Sequence, residues 1–144
     1  MPHVELDALH HGPNWREATA EELRARVEAA LEGLDGWVTD GNYMGKLGTW
    51  LIDQADTIVW LDLPLRTLLL RIYRRSRRRM RDRVELWHPG NYETWRGIWV
   101  LSSYTVRLHH RRRRYWPPRF AGKTVVRLRS SADADTWLAR QSGR

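Results

Sequence analysis

Thr57-Ile58-Val59-Trp60-Leu61-Asp62-Leu63-Pro64 decides how this chain folds. The first five residues form a near-continuous apolar run closed by an aspartate, the pattern of a strand buried on both faces of a parallel sheet. Pro64 fixes its own φ and lacks an N–H that a first helical turn never uses, so it opens a helix. Leu65, Leu68, Leu69, Ile72 and Tyr73 then recur at helical spacing, while Arg71, Arg74, Arg75, Arg77, Arg78, Arg79, Arg81 and Arg83 crowd the second half. A strand that runs straight into a long amphipathic helix is half of a βαβ unit.

The flanking sequence repeats that alternation. Upstream, His3 to Leu6 reads as a short strand. Thr19 with Glu22 three residues on makes a capping box, and Leu23, Val27, Ala30 and Leu31 share one helical face until Gly33 stops the pattern. Trp37-Val38-Thr39 makes a second strand ending in the turn cluster Asp40-Gly41-Asn42, with a weaker helix expected from Leu47 to Gln54. Downstream, the irregular stretch Leu86-Trp87-His88-Pro89-Gly90-Asn91 separates the arginine-rich helix from an aromatic one around Trp95, Ile98, Trp99, Ser102 and Val106, which Arg111 to Arg114 end. Thr124 to Leu128 reads as a strand, and Ser131, Asp133, Trp137 and Leu138 as a closing helix. The expectation is a single α/β domain over 1–144 with a mainly parallel sheet and most tryptophans in the core.

Composition narrows the function classes. A chain of 144 residues, 42% hydrophobic, supports one core. With no cysteine there is no disulfide scaffold, cysteine-ligated zinc or cysteine nucleophile, which fits a reducing cytoplasm. No apolar run approaches the roughly 18 residues of a membrane span, and Met1-Pro2-His3-Val4-Glu5 is unlike a signal peptide, so the expectation is a soluble cytoplasmic protein. Of 25 basic residues only Lys46 and Lys123 are lysines, and the net charge is +8. Guanidinium forks suit phosphate, so phosphate-bearing partners are expected. A codon-biased genome would enrich arginine as well.

In an open parallel sheet, ligands collect beyond the carboxyl ends of the strands. Those ends are Glu5-Leu6-Asp7, Asp40-Gly41-Asn42-Tyr43 and Asp62, three polar clusters expected to converge on one crevice. Each also suits an ordinary strand-to-helix turn. His10 and His11 stand near Asp7 but lack metal-ligand spacing.

The segments Glu5-Leu6-Asp7-Ala8-Leu9-His10, Pro13-Asn14-Trp15, Trp37 to Tyr43, Asp56 to Pro64, and Glu85-Leu86-Trp87 with Gly90-Asn91 together resemble the bacterial adenylate-kinase-like and shikimate-kinase-like proteins of the phosphate-binding-loop (P-loop) class, some labelled topology modulation proteins. The resemblance implies a three-layer α/β/α fold and ATP-dependent phosphoryl transfer, with Mg²⁺, to a small-molecule or nucleotide acceptor. It implies that Asp7 faces the acceptor hydroxyl, that Asp40, Gly41, Asn42 and Tyr43 form the acceptor-site turn, and that Asp62 holds the metal. Arg71, Arg75 and Arg96 would neutralise the transferring phosphoryl group around a lid-like region at about 80–97. Trp15 is the tryptophan suited to stacking on a substrate ring.

The nucleotide-holding motif of that class, Gly-x-x-x-x-Gly-Lys-[Ser/Thr] between a strand and a helix, does not occur in these 144 residues. Gly122-Lys123-Thr124 has the right ending but precedes a strand. Gly41 to Leu47 follows a strand but is one residue short and puts Leu47 where a hydroxyl should reach Mg²⁺. In relatives the loop follows a first, central strand, so the expectation is a chain lacking that strand and its helix, inactive by itself, through a start codon assigned late or a natural 5′ truncation, ahead of a functional loopless variant. The competing expectation is an arginine-rich nucleic-acid-binding protein, resting on the runs at 71–83 and 111–114 and the interleaved Trp and Tyr. The oligomeric state is open.

Overall fold

The computed structural model describes residues 1–142. The chain divides into two compact units, Met1–Leu51 with Arg79–Glu93, and Ile52–Arg78 with Thr94–Arg144.

In the first unit, β1 (His3–Glu5) leads directly into α1 (Leu6–His10) and a 3-10 turn at Pro13–Trp15. The expected capping box then starts α2 (Ala20–Leu31): the Thr19 hydroxyl accepts from the Glu22 N–H at 3.1 Å, and the Glu22 carboxylate accepts from the Thr19 N–H at 2.9 Å. One face of α2 buries Leu23 and Val27 completely against Leu6, Ala18 and Leu47, so the amphipathic reading of this helix holds. The return strand β2 (Val38–Asp40) pairs with β1 in parallel, setting His3 beside Val38, Val4 beside Thr39 and Glu5 beside Asp40. The helix expected from Leu47 to Gln54 is two short ones, α3 (Met44–Leu47) and α4 (Trp50–Gln54), broken at Gly48-Thr49.

In the second unit, β3 (Thr57–Leu61) pairs in parallel with β4 (Thr124–Leu128) over all five residues. Helix α5 (Leu65–Arg81) follows β3, and α6 (Trp95–Arg119) and α7 (Ser131–Ser142) flank β4 in sequence. Trp60 is buried with Trp116 and Phe120 around it at ring-centroid distances of 5.9 and 6.1 Å.

Three expectations need correction. Strand β3 is not buried on both faces: Trp60 is covered on one face, while Val59 and Leu61 on the other are 40% and 53% exposed. Nor are the tryptophans mostly core, since Trp95 and Trp99 on α6 are 63% and 70% exposed. And α6 does not end with Arg111 to Arg114. It runs on through Pro117 and Pro118, sacrificing two ladder donors in its last turn, and the Phe120 N–H closes it on the Pro117 carbonyl at 3.2 Å. The fold is mixed α/β, its four described strands forming two separate parallel pairs, β1 with β2 and β3 with β4. No helix among the described residues is long and apolar enough to cross a membrane.

Candidate acceptor site

Because β1 and β2 run parallel and in register, both strands release the chain at the same end of their sheet, which brings two of the three expected strand-end clusters together. Asp7, in the first turn of α1, accepts a hydrogen bond from the Tyr43 hydroxyl at 2.6 Å. Burial, followed by that bond, pushes the Tyr43 phenol above its ordinary value, so the phenol keeps its proton and the carboxylate is the acceptor. Asp7 is itself exposed and has accepting capacity to spare.

Gly41 suits this turn in both backbone and packing. Its φ is +122°, which a side chain rarely tolerates, and a Cβ there would stand 3.2 Å from Leu6 Cβ and the Tyr43 ring, so that the ring bonded to Asp7 would have to give by a few tenths of an ångström. Asn42 is exposed beside it. The Asp40 carboxylate turns elsewhere, 3.4 Å from His3 Nε2.

Behind this pair lies a titratable cluster that sequence reasoning did not assemble. Glu17 accepts from Lys46 Nζ at 3.3 Å and stands 3.5 Å from His10 Nε2. The lysine holds the Glu17 carboxyl below the usual range. Lys46 also donates to the Ala18 carbonyl at 2.7 Å, so the lysine of the Gly41 to Leu47 stretch is already engaged inside the unit. His10 is 4% exposed, and burial depresses both its imidazole and that of His11. The Nδ1 atoms of both rings are buried without a partner among the described residues. No group of three His, Asp or Glu is arranged to hold a metal among those residues.

The region at 80–97 contributes to the same unit as far as Glu93. Asn91, fully buried, accepts from the Trp15 N–H at 2.6 Å and donates to the Gly12 carbonyl at 3.1 Å. Trp87 Nε1–H donates to Glu5 at 2.7 Å, and Arg79 pairs with Glu93 at 2.9 Å. The rings of His11, Trp15 and Trp87 gather with centroids 5.3 to 6.2 Å apart. Trp15 and Trp87 both adopt left-handed backbone, φ +58° and +57°, which bulky residues rarely tolerate and which clusters at functional sites. Gly90 abuts the Asn14 side chain so closely that a Cβ would collide with it. Sequence reasoning singled out Trp15 but not Trp87. The signal available was the density of Trp, His, Pro and Gly in 86–91.

The remaining expected site residues belong to the second unit. Asp62, the expected metal ligand, is buried with both oxygens committed: Oδ1 accepts from Arg113 Nε at 2.7 Å, and Oδ2 from Arg127 Nε and Nη2 at 2.9 and 2.5 Å. Burial raises its carboxyl and the two guanidiniums more than offset this, leaving it below the ordinary value. Arg71 donates to Ser131 Oγ at 2.8 Å and, with Arg75, Arg74, Arg78, Leu68 and Ile72, lines an open groove along α5. Arg96 is exposed in the first turn of α6. Lys123 of the Gly122-Lys123-Thr124 stretch precedes β4 and donates to the Asp53 carbonyl at 2.6 Å.

Compared with protein families, curated proteins and solved structures, the chain matches none.

Proposed function

We propose that the first unit is the acceptor-binding part of a P-loop-kinase-like phosphotransferase, and that Asp7 receives the hydrogen bond of the acceptor hydroxyl. The observation that carries this reading is the Asp7–Tyr43 hydrogen bond at the carboxyl ends of two parallel, in-register strands. An exposed carboxylate held by a protonated phenol is suited to orient a hydroxyl and to take its proton as phosphorus is attacked. The acceptor is a small hydroxylated molecule or a nucleotide, with Trp15 and Trp87 beside the carboxylate-bearing turn. ATP and Mg²⁺ belong to the complete reaction. With no phosphate-binding loop in the sequence and Asp62 occupied by arginines, these residues bind acceptor and do not themselves transfer phosphate.

Calorimetric titration with shikimate and with AMP tests this. One of the two binds, and Asp7→Asn and Tyr43→Phe each weaken it by about tenfold, as expected for one charge-assisted hydrogen bond. Failure of both compounds to bind, or low-micromolar Mg²⁺-dependent binding of ATP, overturns the proposal.

A further inference from the structure

The net charge of +8 hides an uneven partition. The first unit carries seven basic and twelve acidic side chains, a net of −5, and the second carries eighteen basic against five acidic, a net of +13. Those five carboxylates do little to neutralise the second unit. Asp62 is spent on Arg113 and Arg127, and Asp133 accepts from the backbone N–H groups of Arg129 and Ser130.

Helix α6 organises this excess. Its buried face is formed by Ile98, Thr105 and His109. At 100° per residue, Arg96, Arg107, Arg111 and Arg114 fall within about 60° of one another on the opposite side, spread over about 27 Å of axis. All four are exposed, and none forms an ion pair among the described residues. Exposed rings border the stripe on both flanks: Trp95 and Trp99 on one, Tyr104 and Tyr115 (46% and 53% exposed) on the other.

We propose that this face of α6 binds single-stranded nucleic acid, its arginines tracking the phosphodiester backbone and its flanking rings stacking on unpaired bases. Charge alone would suit any polyanion. The large exposed rings along both edges of the stripe favour a polymer that offers a planar apolar face at each repeat, as a single strand does and a duplex or an anionic lipid surface does not. Arginines on phosphate and rings on any base face discriminate little, so the binding is indifferent to sequence and to the sugar. This inference is independent of the acceptor site, which lies in the other unit.

Fluorescence anisotropy with labelled 20-mers of oligothymidylate and oligouridylate, on the full chain, provides the test. Four phosphate contacts give a log–log salt slope of about −3, so that affinity falls about fifty-fold between 50 and 200 mM salt. Arg107→Ser with Arg111→Ser and Arg114→Ser flattens the slope to about −1. Trp99→Ala costs between about five- and a hundred-fold at unchanged slope, and Trp99→Phe restores most of it. Unchanged circular dichroism spectra confirm that the variants fold. Four results would each overturn the proposal: no binding at 50 mM salt, indifference to Trp99→Ala, duplex or phosphatidylserine vesicles bound as tightly as the single strands, or more than tenfold discrimination between the two oligomers.

Discussion

His10 and His11 lie with their ring centroids 4.6 Å apart in the first unit, and both are less readily protonated than a free histidine. Burial is the main cause for each. At His10 the neighbouring His11 and Lys46 add to it, while Glu17 and Asp7 oppose it. A histidine whose folded pKa lies below its unfolded value stabilises the fold fully above about pH 6.5, and that stability is lost as pH falls below this value. His109 in the second unit is depressed in the same direction. The carboxylates Glu17 and Asp62, also depressed, hold their contributions until pH falls below the ordinary carboxylate range. The melting temperature is therefore expected to be flat from pH 8 to 7 and to decline from about 6.5 towards 5. Replacing both residues, His10→Gln and His11→Gln, should make that decline shallower, and an identical decline in the double variant would count against these imidazoles as its source. Much at this scale could be read from the sequence. Asp7 and Tyr43 follow predicted strands, and the expectation that these strand ends converge was enough to bring the two together. The commitment of Asp62 could not be read, because its two arginines lie 51 and 65 residues away and ion pairing at that separation leaves no local pattern.

Among the elements, the segment joining α5 to α6 carries one fully buried polar side chain, Asn91. Its ends are bridged at Glu85 and Tyr92, and Asn91 fastens it to the turn at Pro13–Trp15 through both atoms of its amide. Asn91→Ala would strand the part-buried Trp15 N–H and the buried Gly12 carbonyl and release the strain held in Trp15. A loss of about 2 to 3 kcal/mol is expected in urea unfolding, with an unchanged m-value if only the native state is affected. A loss below about 0.5 kcal/mol would show that the segment is held by other contacts. Helix α2 and strands β3 and β4 were legible because a capping box and short apolar runs are local signals. The left-handed Trp15 and Trp87 were not, since no property of tryptophan favours that conformation and only long-range contacts impose it. The exposure of β3 was missed for a related reason. An apolar run shows that a strand can be buried, and whether it is depends on what packs over each of its faces.

For the whole molecule, the sequence showed an arginine-rich chain but not that its charges sort by unit, because the first unit is assembled from two stretches distant in sequence. The isoelectric point near 10.7 is thus an average that describes neither part. At neutral pH the chain is a macro-ampholyte, one unit a polyanion and the other a stronger polycation. Copies of such a chain attract one another when their charges are unscreened, despite a net charge that would ordinarily keep them apart. Added salt weakens that attraction once the Debye length shrinks to about 8 Å. Light scattering is therefore expected to give a second virial coefficient that rises between 20 and 300 mM sodium chloride, the reverse of the trend for a uniformly positive protein, and a falling coefficient would contradict it. The protein would salt in, dissolving better in a saline buffer than in dilute solution.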